Sequence, residues 1–145
     1  MSPLLDNPAL RYYAIASTVL ALHLIALALW TGTVRAKKKQ FVNPEDAVLN
    51  KGENTSKDHA DVERVKRAHS NAIENAIPFF VVGGLFAVNG ASATGAMVYF
   101  GAFVAARLLH TLFYLWGRQP FRTICFVIGV LAVIGMGVQV LRTAI

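Results

Sequence analysis

The sequence predicts an all-α integral membrane protein, a bundle of four transmembrane helices. Hydrophobic residues make up 55% of the 145 positions, and a mean hydropathy of +0.49 is too apolar for an ordinary soluble domain of this size. Four apolar tracts, at residues 12–34, 76–89, 94–116 and 123–141, approach the ~20 residues that cross a ~30 Å hydrocarbon layer, the second excepted. Charge is one-sided: of the fourteen Lys and Arg residues, all but Arg11 and Arg142 lie between tracts one and two, or from Arg107 to Arg122.

The first helix, about residues 12–34, is not a cleaved leader, because Asp6 and Arg11 stand in place of a basic n-region and the apolar run is too long. His23, alone in it, reads as a packing histidine. The long connection that follows carries a turn signal at Asn43-Pro44-Glu45-Asp46 and stays polar through Asp58. The second helix, about 61–89, starts near Asp58 or Asp61, where a carboxylate can cap free N–H groups and meet the positive end of the helix dipole. Its clean apolar part is 76–88, so a span counted back ~20 residues from Asn89 draws Ser70, Asn71 and Glu74 to membrane depth. Pro78 bends it at most.

The uncharged Asn89-Gly90-Ala91-Ser92 connection predicts a tight antiparallel hairpin with the third helix, about 94–116. Gly117-Arg118-Gln119-Pro120, with Pro120 near a helix start, leads into the fourth, about 121–142. Gly101-x-x-x-Ala105 and glycines 129, 135 and 137 permit close helix approach. The single cysteine, Cys125, allows no internal disulfide and reads as a packing residue.

The positive-inside rule puts both termini outside and the 1–2 and 3–4 connections in the cytoplasm. The basic residues therefore report topology and anionic lipid, and no nucleic acid partner is expected. No metal site is expected either: His59 and His69 are ten residues apart and lack thiolates or a carboxylate motif. No Gly-rich phosphate loop precedes a helix.

An ionisable residue at membrane depth marks a functional site. Glu74 needs a partner, and Arg107 on the descending third helix reaches the same depth, so a Glu74–Arg107 ion pair is predicted. Arg67, Asn71 and Glu74 share one helical face at i, i+4, i+7, and Arg107, His110 or Thr111, and Tyr114 share another. Arg35 ends the first helix and Arg122 begins the fourth at the same level. Cations and hydrogen-bonding groups so gathered suit a polyanionic small molecule at the membrane edge. The competing reading, side chains that only anchor helix ends by snorkelling, is adopted for Lys37, Lys38, Lys39, Lys66 and Arg118.

The segment Glu63-Arg64-Val65-Lys66-Arg67-Ala68-His69-Ser70-Asn71-Ala72-Ile73-Glu74-Asn75-Ala76-Ile77-Pro78-Phe79 closely resembles the signature of the MAPEG superfamily, membrane-associated proteins in eicosanoid and glutathione metabolism. Val34-Arg35 with its basic run, Asn43-Pro44-Glu45-Asp46-Ala47, and Arg107-x-x-His110-Thr111-x-x-Tyr114 with Arg122 beyond also match, from Gly32 to Arg122. Within the superfamily the likeness is to the branch of microsomal prostaglandin E synthase and microsomal glutathione transferase. The resemblance implies a four-helix protomer, a homotrimer, and glutathione held between protomers near the cytoplasmic face. Its contacts would be Arg35, Arg67, Asn71, Glu74, His110, Tyr114 and Arg122. Arg122 matches the arginine that stabilises the glutathione thiolate, and Thr123 beside it keeps a hydroxyl where the family's synthases have serine. Ser70 and Phe126 replace an arginine and a tyrosine of the prostaglandin synthase pattern, and the 3–4 connection is one residue shorter, so prostaglandin isomerisation is not carried over as the native reaction.

The expected function is therefore a detoxifying glutathione transferase with peroxidase activity, acting on a lipophilic electrophile or lipid hydroperoxide that arrives from the bilayer. The alternatives are a non-enzymatic lipid-binding protein of the same superfamily and a glutathione-dependent isomerase of prostaglandin synthase type. A channel or transporter is disfavoured, because the charges lie at one end and no discontinuous helix pair is evident. With no recognisable retention signal and a compact chain, the expected location is a bacterial inner membrane, with the active site towards the cytoplasm.

Overall fold

The computed structural model describes residues 6–145. Its elements are α1 (Pro8–Lys38), β1 (Gln40–Phe41), α2 (Pro44–Leu49), β2 (Glu53–Asn54), α3 (Ala60–Val88), α4 (Ala93–Trp116) and α5 (Phe121–Ala144). The four long helices are each long and apolar enough to cross a membrane, which makes this an integral, multi-pass membrane protein built as a four-helix bundle. At ~1.5 Å per residue, α4 and α5 are about 36 Å long, close to a bilayer core, whereas α1 and α3 overshoot it by about 15 Å.

The surplus projects at one end, the basic end, where α1 and α4 finish and α3 and α5 begin. Helix α1 starts four residues before its apolar tract, because Asn7 caps it by accepting from Ala9 N at 2.9 Å and Pro8 occupies the first turn. The Asn43-Pro44-Glu45-Asp46 turn signal is instead the start of α2, with Pro44 at its first position and acidic residues in its first turn. Strands β1 and β2 pair in parallel around it, Gln40 opposite Glu53. Gly52 makes that closure possible, since a Cβ there would stand 2.5 Å from the Phe41 ring. Neither aspartate caps α3: His59 does, its Nδ1 accepting from Asp61 N at 3.1 Å.

Packing departs from the hairpin expected of a short α3–α4 connection. Helix α4 lies most extensively against α5, and α1 against α3, while α3 and α4 touch each other least of these pairs. Aromatic rings keep them apart: Phe79 of α3 stacks on Phe103 of α4 at 4.4 Å, with Phe100 edge-on to Phe79 at 5.6 Å. These rings, with Phe86, Leu20 and Met136, form the buried core and dominate its energetics. Tyr13 of α1 donates to Phe80 O at 2.8 Å. Glycines 129 and 135 of α5 admit side chains from α4, a Cβ at Gly129 meeting the Arg107 stem at 3.4 Å and one at Gly135 meeting the Tyr99 ring at 2.6 Å. Gly101 has nothing within 4 Å and plays no such part inside the chain. Cys125 is buried, as a packing residue should be.

Candidate functional site

Arg107, His110 and Thr111 are the buried polar residues among those described. All three project from α4, whose spacing of three and four residues turns them into the bundle with the core phenylalanines one turn away. Arg107 is only 2% exposed. Its Nη2 donates to Asn71 Oδ1 of α3 at 2.6 Å and lies 3.5 Å from His110 Nδ1. Its Nε and Nη1 have no hydrogen-bond partner among the described residues. The expected Glu74–Arg107 ion pair is absent: Glu74 is exposed and accepts from Ser70 Oγ at 3.1 Å. Rotation about the helix axis explains the difference, because Asn71 faces the bundle while Glu74, three residues on and about 60° round, faces away.

Following α4 towards the basic end, the His110 and Tyr114 rings lie 5.9 Å apart, and the Arg122 guanidinium carbon stands 4.9 Å from the Tyr114 centroid, a cation–π contact. Gln119 completes the arrangement. Two N–H groups of Arg122 face its amide, so the amide oxygen belongs on that side, accepting from Nη2 at 2.7 Å and Nε at 3.2 Å. Gln119 Nε2 then donates to Thr123 Oγ1 at 3.0 Å, leaving the Thr123 hydroxyl hydrogen free to donate elsewhere. Among the described residues neither Arg107 nor Arg122 pairs with a carboxylate. Both guanidinium charges are therefore uncompensated, and at the half-buried Arg122 that condition favours an anionic ligand or transition state beside it.

Asn71, His110, Tyr114, Arg122 and Thr123 thus meet along one line from three helices. Arg35, Arg67 and Glu74 stand apart from it within the chain. Arg35 is held by Asp58 through Nε and Nη2, both at 3.1 Å. Lys66 Nζ reaches the same carboxylate at 2.9 Å and Glu63 at 3.0 Å, and Glu63 lies 3.8 Å from Arg67. Burial works against ionisation of Asp58, but the hydrogen bonds and charges of Arg35 and Lys66 outweigh it and hold its carboxyl below the ordinary range. A cavity of about 630 Å³ opens beside Arg35, Asn43, Asp46, Asp58 and Lys66. Its charges neutralise one another, so it lacks the open cations of the α4–α5 site. His23 is a packing histidine with one polar contact, Nε2 to Thr111 Oγ1 at 3.0 Å.

Two participants escaped sequence reasoning. Gln119 carried a signal in its position, three residues before Arg122 across a helix start, one turn of spacing. Asp58 was read as a cap, though an acid next to the end of a basic helix is also an arginine partner.

The sequence matches known proteins over nearly its whole length. The family model described as MAPEG family matches residues 13–142. The chain belongs to the MAPEG family. Relatives include prostaglandin E synthase of Homo sapiens, 35% identical over 99% of this chain and 95% of its own length, and microsomal glutathione S-transferase 1 of Rattus norvegicus, 36% identical over 99% and 96%. Microsomal glutathione S-transferase 1 of Homo sapiens is 34% identical over the same shares. This MAPEG chain is thus similar to two enzymes whose names denote different reactions, and at near-equal identity. Its own site residues have to distinguish them.

Proposed function

We propose that this protein is a membrane glutathione transferase that joins the glutathione sulfur to a lipophilic electrophile, with reduction of lipid hydroperoxides as a second reaction. The observation that carries this reading is Arg122, a guanidinium fixed by neutral groups, Gln119 and Tyr114, with no carboxylate paired to it among the described residues. A thiol has a reference pKa of ~8.5, and a nearby uncompensated cation favours its thiolate. Thr123, its oxygen engaged by Gln119, can donate its hydrogen to the same sulfur. The tripeptide's two carboxylates suit the remaining cations, Arg35 and Arg67, and its carbonyls and ammonium group suit Asn71, His110, Tyr114 and Glu74.

In conjugation the thiol proton leaves to solvent and the sulfur lone pair forms the new S–C bond; on an aryl electrophile the leaving group departs with its bonding electrons, and on an alkenal the C=C electrons move to the carbonyl and the enolate takes a proton from solvent. With a hydroperoxide, the thiolate attacks the terminal oxygen and the alkoxide leaves, taking a proton to become an alcohol. A second glutathione then reduces the resulting sulfenic acid, giving the disulfide and water. The site lies at the basic end of helices bathed in lipid, which lets a bilayer-dissolved co-substrate and a water-soluble thiol meet.

The active assembly in this reading is a homotrimer that unites the two groups of site residues. Its support is a stripe on α3 pointing away from the bundle: Arg67, Ser70, Glu74, Ile77, Val81, Leu85 and Val88 are all exposed. Their spacing of three and four residues is that of a helix–helix seam, and a carboxylate at membrane depth needs cover and a partner. The basic end faces the cytoplasm, with both termini outside, by the same charge asymmetry as before, and the compact chain favours a bacterial inner membrane.

Prostaglandin-type isomerisation is the second reading, favoured by the likeness to human prostaglandin E synthase and opposed by Ser70 and Phe126. Purified protein should be assayed with glutathione against a panel of aryl and alkenal electrophiles, lipid hydroperoxides and a cyclic endoperoxide. Conjugation and hydroperoxide turnover support the proposal, and endoperoxide isomerisation alone would replace it. Calorimetry that detects no glutathione binding would favour a lipid-binding role.

A further inference from the structure

A fully buried arginine without an anion is costly in any protein and more so inside a membrane bundle. Arg107 is such a residue, and its one short hydrogen bond goes to the side-chain oxygen of Asn71. An asparagine amide has one acceptor end and one donor end. A guanidinium can only donate, so it settles which end is which: Oδ1 faces Arg107, and the Asn71 NH2 group is turned the other way. Asn71 is itself only partly buried. Its backbone carbonyl accepts from Asn75 Nδ2 at 2.8 Å, which ties the local helix turn, and Gly129 leaves room for the Arg107 stem. The arginine is thus seated from α5 and holds the amide on α3.

We infer that Arg107 is a positioning residue that presents the Asn71 NH2 as a hydrogen-bond donor, so that the ligand group recognised there is an acceptor, a carboxylate or a peptide carbonyl. This rests on the proposal that glutathione is the ligand, and deepens it by assigning the polarity of one contact. Arg107 touches no substrate in this scheme. It acts by forbidding the flipped amide, in which a carbonyl oxygen would repel the same ligand group.

The test uses Asn71→Asp in the intact protein, with glutathione binding measured by calorimetry and thermal unfolding measured alongside. Aspartate keeps the oxygen that Arg107 holds and turns that bond into an ion pair, but replaces the outward donor with an acceptor. The expected result is a melting temperature at or above that of the wild type, together with at least tenfold weaker glutathione binding. Arg107→Met, which removes the donor, should raise the KM for glutathione about tenfold with kcat at saturation within about twofold, and Arg107→Lys, which retains a donor, should recover most of that loss. A lowered melting temperature in Asn71→Asp would overturn the Arg107–Asn71 link, and unchanged glutathione affinity would overturn the donor role. Wild-type protein that binds no glutathione would instead overturn the functional reading beneath both.

Discussion

Replacing Gln119 by glutamate changes almost nothing sterically and puts a carboxylate where a neutral amide oxygen now stands, 2.7 Å from Arg122 Nη2. The clamp on Arg122 would tighten, yet its charge would be cancelled. A sulfur on the far side of the guanidinium would stand roughly 7 Å from the new carboxylate, and at an effective dielectric of ~20 two like unit charges at that separation repel by about 2.4 kcal/mol. Arg122 is only half-buried, so solvent and salt reduce the repulsion to about 1–1.5 kcal/mol. That corresponds to about one pKa unit on the bound thiol. The assay is the pH dependence of kcat/KM for conjugation of one fixed electrophile. Gln119→Glu should displace the acid limb upward by about one pH unit and leave the high-pH plateau unchanged, while Gln119→Ala, which loosens Arg122 without neutralising it, should shift the limb much less. An acid limb in Gln119→Glu that coincides with the wild type, or equal shifts in both variants, would refute the idea that the uncompensated charge of Arg122 sets the thiol's ionisation.

Two further expectations concern the scaffold. Asp58→Asn should destabilise the protein by about 1–2 kcal/mol at neutral pH, less than a fully buried pair because Arg35 and Lys66 remain partly in water. The Asp58 carboxyl titrates below its unfolded value of ~3.9, so its contribution is complete above that pH and lost as pH falls through the lowered folded value. Acid unfolding followed by circular dichroism should therefore lose this component in the variant, and an identical acid limb would contradict it. Val81→Trp, in the middle of the exposed α3 stripe, should reduce the particle mass measured by light scattering in detergent from trimer to monomer while helix content stays constant. Trimer mass in the variant would move the seam off α3, and monomer mass in the wild type would remove the proposed assembly.

Helix number and approximate extent were legible because apolar runs and helix caps are local properties. Helix α3 is 29 residues long, and its polar first half follows from its short apolar part alone. The Asn43-Pro44-Glu45-Asp46 motif reads as a turn because the same residues, Asn, Pro and two acids, open both turns and helices; in the fold it opens α2. The Glu74–Arg107 pair failed for a different reason. Depth along a helix can be counted from a boundary, but the face a residue presents depends on which neighbours the helix packs against, and the stacking of Phe79 on Phe103 settles that. Asn71 and Glu74 differ by three residues, about 60° around the axis at 3.6 residues per turn, enough to separate a half-buried amide that faces the bundle from an exposed carboxylate. Arg107 itself was singled out correctly, since a cation at membrane depth is conspicuous in any sequence. Gln119 was not, because its one signal, a spacing of three residues from Arg122, marks any neutral side chain so placed in a short connection until Arg122 is seen to lean on it.

The central claim is that this protein converts glutathione to its thiolate beside Arg122. The direct measurement is the ultraviolet thiolate absorbance that appears when glutathione is added to the purified protein in detergent at neutral pH, compared with Arg122→Ala. The wild type should show a saturable thiolate band and Arg122→Ala none, with the same assembly mass for both. Glutathione that binds the wild type without a thiolate band, or a band of equal size in Arg122→Ala, would contradict the claim.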